Sequence, residues 1–215
     1  MEITGFTLWA PGLDSLGDWE EWKEGHKEGE DSTVSPALPF CSPVAIRRFS
    51  QLTRMTVYAA HKTGLDAGHL FFASSNGEIN SQLKLNTYYV ENDEMKPSLF
   101  SLSVFNTAPA QATMLLGSNI PYTPLFSGRE TVIRNLLLAG TAPLVSGRLS
   151  SVILIYAEEH IPEEYRSLIS GFELPMVIAL QLSASGPEII PERAQESPEA
   201  LVKYLLEEHK DKWIS

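Results

Sequence analysis

Ser127-Gly128 falls between an apolar run, Tyr122–Ser127, and a helical run, Glu130–Val145. A strand-to-helix turn of this kind is where a hydrolase or acyltransferase exposes its nucleophile. The residue at the tip is not an obvious nucleophile, and no histidine accompanies it. The five histidines (His26, His61, His69, His160, His209) are scattered and read as surface or satisfied side chains. Cys41 sits in a loop between Phe40 and Ser42-Pro43. A reactive thiol needs a helix N-terminus or a basic neighbour to lower its pKa, and only Arg47 and Arg48 are near in sequence. The acid pairs Glu158-Glu159 and Glu163-Glu164 read as a solvated strand exit. No P-loop, Gly-x-Gly-x-x-Gly or Gly-x-Ser-x-Gly motif occurs, and no Cys/His group has metal-ligand spacing. The residues therefore predict no metal, no cofactor and no complete catalytic set.

Composition narrows the classes further. The 215 residues are 43% hydrophobic and 20% charged, ordinary for a globular chain, with a formal net charge of −11. That charge argues against nucleic acid and anionic membranes, which need clustered Lys and Arg. The segment Asp18–Asp31 is rich in acid and reads as a solvated loop. No apolar run is long enough to span a bilayer, and no signal peptide is evident at the N-terminus. With one cysteine, the sequence fits a cytoplasmic protein.

The elements that would position these residues alternate. Ile3–Ala10 reads as a first strand, 13–44 as a long loop with a short helix near Trp19–Trp22, and Ala45–Lys62 as a helix that Gly64 stops. Leu70–Ala73 is a short buried strand, and a helix follows from Ser75 to about Tyr89. The stretch Pro97–Gly117 reads as helical, and a start near Asn106 puts Pro109 in a tolerated first turn. Tyr122–Ser127, Ser151–Ala157 and Met176–Ala184 are strands, and Ser197-Pro198 caps a last helix to about Lys212. Strands alternating with helices predict a three-layer α/β fold around a largely parallel sheet. Val152–Tyr156, apolar on both faces, suits its centre.

Several segments, in order, resemble the N-terminal half of β-ketoacyl synthases. Arg47-Arg48-Phe49-Ser50 with Ala59-Ala60 resembles the start of the first core helix. Ala73-Ser74-Ser75-Asn76-Gly77-Glu78 resembles the small-residue strand exit, and Ser101–Ala108 resembles the interface helix with its asparagine. Thr123–Thr131 occupies the nucleophile strand and elbow, and Ser146-Gly147 with Val152–Tyr156 matches the next helix end and strand. The resemblance covers about residues 1–185. It implies a thiolase-like half fold, an αβα sandwich on a five-stranded mixed, mostly parallel sheet. It also implies a synthase-like domain over 1–190 and a helical extension over 191–215.

The departures from the family shape the functional expectation. The position of the acyl-accepting cysteine falls at Glu130, and a carboxylate cannot replace the thiolate. The two histidines and the lysine of the family's second half have no counterpart here. The resemblance therefore implies a non-catalytic subunit like the chain length factors of aryl polyene and type II polyketide systems. Its partner would be an active β-ketoacyl synthase, and the acyl carrier protein would dock mainly on that partner. In the family, interface-helix side chains reach the partner's acyl tunnel; here these are Val104, Phe105, Asn106, Thr107 and Gln111. Two other readings stay open: an acyl hydrolase or transferase using Ser127, and a free-standing module that binds acyl carrier proteins or acyl chains.

Overall fold

The computed structural model describes residues 1–65, 68–169, 174–187 and 189–215. Strand β1 (Glu2–Trp9) is followed by α1 (Leu16–Lys23), a four-residue α2 (Pro43–Ile46) and α3 (Gln51–Thr63). Next come β2 (Leu70–Ser74), α4 (Ile79–Asn92), α5 (Pro97–Ser103), α6 (Thr107–Leu115), β3 (Tyr122–Phe126) and α7 (Arg129–Val145). The chain closes with β4 (Ser151–Glu158), α8 (Glu163–Arg166), β5 (Met176–Ser183) and α9 (Pro198–Glu208), with a 3-10 turn on either side of α9.

The helix starts follow local chemistry. Ser15, Ser50 and Ser197 each accept a backbone N–H in the first turn of α1, α3 and α9, which satisfies donors that have no partner inside the helix. The cap at Ser50 also explains why the single helix expected over 45–62 is divided. Pro43 opens α2, and Ser50 opens α3 afresh. Gly64 ends α3 at φ 71°, as its position predicts. The helical stretch 97–117 divides too, at Val104–Asn106, which leaves Pro109 in the first turn of α6.

The sheet is five-stranded and mixed, in the order β1-β5-β4-β2-β3. The pairings β4–β2 and β2–β3 are parallel, whereas β5 runs antiparallel to both β1 and β4. The parallel share is thus half of the pairings, smaller than strand–helix alternation suggests. The difference arises because β4 and β5, neighbours in sequence and in the sheet, are joined across the four-residue α8, far shorter than the crossover a parallel pair needs.

Strand β4 takes the middle place, and its alternation feeds both faces. Val152, Leu154 and Tyr156 join a core with Trp19 of α1, Ile133 and Leu136 of α7, and Leu201 and Leu205 of α9. Ile153, Ile155 and Ala157 join the opposite core with Leu52, Met55 and Ala59 of α3 and Ala108 and Ala112 of α6. Helices on both faces make the three αβα layers. The alanines of α6 let it pack directly against α3, as its small residues suggest.

Candidate functional site

The C-terminal ends of β2, β3 and β4 carry the residues singled out for chemistry, which is where open α/β sheets place their sites. At the exit of β3, Ser127 is half-buried ahead of α7. Its hydroxyl lies 2.6 Å from Thr131 Oγ1 and accepts a 2.7 Å hydrogen bond from Asn135 Nδ2. Thr131 in turn donates to Gly128 O at 3.2 Å. Ser127 therefore gives its proton to a threonine and faces an amide. Among the described residues no base is bonded to it. Glu130 lies in the first turn of α7 and is exposed. It shares a shallow surface cavity with Arg134, Glu192 and Glu196.

Val104, Phe105 and Asn106 do not lie on a helix. They form the connection between α5 and α6, because the backbone of Val104 turns extended and ends α5. This corrects the expectation of one continuous interface helix. Thr107, buried, opens α6 and donates to Ser101 O at 3.2 Å, closing the connection. Asn106 is exposed, and its side chain makes no cap bond. Gln111 is half-buried one helical turn further on.

Phe105 is held by aromatic contacts. Its ring stands edge-on to Phe126 at 4.9 Å and tilts against Phe72 at 6.2 Å. It also covers Gly77, where an added Cβ would lie 2.8 Å from Phe105 Cδ2 and the backbone has φ 59°. Gly77 therefore has to be glycine both for its backbone and for the ring above it. Phe105→Ala is expected to cost about 2 kcal/mol in urea denaturation, below the roughly 3–5 of a fully buried phenylalanine, because the ring is only half-buried.

The exit of β4 overturns the solvated reading of Glu158-Glu159. Glu158 and Glu159 are 0% and 1% exposed, and Glu78, at the start of α4, is 1% exposed. Glu163 and Glu164 are exposed, as expected. Glu158 accepts hydrogen bonds from the backbone of Ser75 and Asn76 and from Asn76 Nδ2, which fixes the loop after β2. Glu159 accepts from Asn80 N at 3.0 Å and Leu52 N at 3.4 Å, joining the N-termini of α4 and α3. Glu78 accepts from Thr53 Oγ1 at 2.6 Å and Ser81 Oγ at 3.1 Å. Burial raises the pKa of both Glu78 and Glu159, and the charge of Glu78 adds to the rise at Glu159, which reaches about 7. These acids order one loop and two helix starts, and among the described residues no cluster has the makings of a metal site.

Several other polar groups singled out in the sequence are paired. Asp31 binds His160 Nδ1 at 2.7 Å and also Arg166, so the end of the acidic segment is tied to the stretch after β4 rather than solvated. Asp18 caps α1 and binds Lys27. His69 bonds Thr123 Oγ1 at 2.8 Å, and His61 stacks on Phe40. Burial pushes the Cys41 thiol up, the opposite of an activated nucleophile.

The family model described as the N-terminal domain of β-ketoacyl synthases matches residues 19–213. The chain belongs to that family. Among solved structures it is similar to a chain of the complex of the ketosynthase ApeO with its chain length factor ApeC from Xenorhabdus doucetiae, with TM-score 0.70 and 20% identity over 85% of this chain and 78% of that one. It is also similar to the ishigamide ketosynthase/chain length factor, with TM-score 0.66 and 13% identity over 86% of this chain and 63% of that one. The ketosynthase from module 1 of the bacillaene synthase of Bacillus amyloliquefaciens FZB42 shares the fold at TM-score 0.58 and 15% identity. The match there covers 84% of this chain but only 41% of that ketosynthase. At these identities the likeness concerns the fold. No curated protein matches the chain. Among the described residues, no helix is long and apolar enough to cross a membrane.

In this β-ketoacyl synthase N-terminal domain, sequence reasoning placed the turn between β3 and α7 but missed the buried acids. Their signal was present. An apolar strand that runs into two acids, opposite a Ser-Asn-Gly-Glu exit, places carboxylates beside the free N–H groups of two helix starts.

Proposed function

We propose that this chain is a non-catalytic, chain-length-factor-like subunit that pairs with an active β-ketoacyl synthase and completes the wall of its acyl tunnel. The observation that carries the reading is the outer side of β3. This strand is an edge of the sheet, with β2 as its one described neighbour. Phe126, at its end, is 69% exposed, and Met114 on α6 and Phe100 on α5 are exposed as well. Open strand edges and grouped apolar side chains favour association. The elbow supports the same reading, because Ser127, Thr131 and Asn135 bond to one another and the position matched to the family's cysteine holds Glu130.

In this reading the partner holds the growing chain on its own cysteine and performs the condensation. Val104 and Phe105 set the depth of the tunnel, with Asn106, Thr107 and Gln111 shaping the same wall. A bulky side chain there excludes a further two-carbon unit by overlap. The charge of −11 directs an acidic carrier protein to the partner's surface rather than to this one. The complex works in the cytoplasm, in polyene, polyketide or fatty-acid-type elongation. Residues 1–190 form the synthase-like domain, and 191–215 act as an extension.

The test is co-expression with a synthase encoded beside this chain, then size-exclusion chromatography and an elongation assay. A stable complex is expected, with elongation or product length depending on this subunit and unchanged by Ser127→Ala. Val104→Ala and Phe105→Ala are expected to shift products toward longer chains. A well-behaved monomer that binds no synthase sinks the proposal. Loss of an intrinsic acyl-transfer activity in Ser127→Ala would support the hydrolase or transferase reading instead.

A further inference from the structure

One cavity on this acidic chain gathers three cations. The cavity of about 390 Å³ where α2, α4 and α5 meet the start of α3 is lined by Arg47, Arg48 and Lys84 and by no Asp or Glu. Arg47 and Arg48 make no ion pair among the described residues, and Lys84 feels the Glu78 carboxylate without closing an ion pair on it, whereas Arg54, on α3, spends its guanidinium on the carbonyl of Ile46. Unpaired cations grouped around a concavity repel one another, and an anion relieves that repulsion. The rest of the lining includes Phe49, Leu99 and Leu102, so one cavity offers both charge and an apolar wall. Its size lies in the range of small-ligand sites rather than of flat protein-docking surfaces.

We propose that this cavity binds a small phosphorylated ligand carrying a short apolar chain. The two guanidinium groups take phosphate oxygens in forked pairs and the lysine adds a point charge. The tail lies against Phe49, Leu99 and Leu102. Glu78 sits just behind the lining residue Ser81, which donates to it. The cations are exposed and hold no described element together, so replacing them leaves the fold intact.

Calorimetric titration of the full-length chain with inorganic pyrophosphate and with hexyl phosphate tests the site. Saturable binding of one equivalent is expected, weakening with added salt. Arg47→Ser/Arg48→Ser and Lys84→Gln should each weaken it at least tenfold, whereas the distant Lys203→Gln leaves it unchanged and circular dichroism shows all variants folded. Leu99→Ser should weaken hexyl phosphate and leave pyrophosphate as it was; equal loss for both removes the tail from the proposal. Failure of both probes to bind at millimolar concentration overturns it, as does binding that ignores the three cations. Capture of an acidic carrier protein lacking its phosphorylated arm, through the same cations and with neither small probe bound, overturns it in favour of a protein-docking patch. Because the synthase partner is absent from the titration, its result is independent of whether the pairing reading stands.

Discussion

The unfolding free energy of this chain is expected to fall by about 3 kcal/mol between pH 4.5 and pH 7 on account of Glu159 alone. Its carboxyl goes from an ordinary 4.5 in the unfolded chain to about 7 in the folded one, chiefly through burial and secondarily through the charge of Glu78. Between those values the folded chain holds a proton that the unfolded chain has released. Stability therefore falls as pH rises through the interval, at about 1.4 kcal/mol per unit. Below pH 4.5 both states are protonated and the contribution is complete; above about 7 it is gone.

The hydrogen bonds from Asn80 N and Leu52 N favour the anion and limit the shift without cancelling it. Glu159→Gln should flatten the slope and leave the variant more stable than the parent at pH 8. Glu78→Gln should flatten it in part, by removing the neighbouring charge. Urea denaturation at half-unit pH steps reads this directly, and comparison with the variants separates it from the general repulsion of a chain at −11. An identical pH slope in parent and Glu159→Gln would show that Glu159 is ionised in the folded state.

Gly140→Val is expected to destabilise the chain by about 3 kcal/mol. Gly140 lies on the buried face of α7, where an added Cβ would stand 2.2 Å from Leu154 Cδ2 and 3.2 Å from both Cδ1 and Cγ. Leu154 belongs to the central strand and is 1% exposed, so it has nowhere to retreat. The replacement must lift α7 off β4 or force Leu154 from its rotamer, and overpacking of this kind costs about 1–3 kcal/mol. The branched side chain of valine adds crowding within the helix. Gly140→Ala should be milder, since alanine gains roughly 1 kcal/mol of helix propensity over glycine.

The decisive measurement is a double-mutant cycle with Leu154→Ala. That change alone should open a cavity, and the alanine at 140 should partly fill it, giving a coupling of about 1 kcal/mol or more. Strict additivity would mean that the helix and strand do not meet at this pair. The consequence reaches the elbow, because α7 begins at Arg129 and its seating on β4 fixes Ser127 and Glu130.

Much of the framework is legible in the chain itself. Ser197 before α9, Gly64 after α3 and Pro109 in the first turn of α6 act within a few residues, so their effects can be read without knowing the fold; the cap at Ser50 acts as locally but lies inside a run whose apolar pattern reads as one helix. The double-faced apolar run Val152–Tyr156 fixes a central strand because only a sheet covered on both sides buries both faces. Ordered family motifs located the elbow, and with it the absence of a cysteine near Glu130. Tertiary structure alone decided the direction of β5, the break at Val104–Asn106 and the burial of Glu78, Glu158 and Glu159. Each depends on partners far along the chain: Glu159 meets Leu52 and Asn80, and Phe105 meets Phe72, Gly77 and Phe126. The sequence shows that two acids follow β4. Whether they face water or close the N-termini of two helices depends on what the fold brings against them, and here burial outweighed the preference of a charged group for solvent.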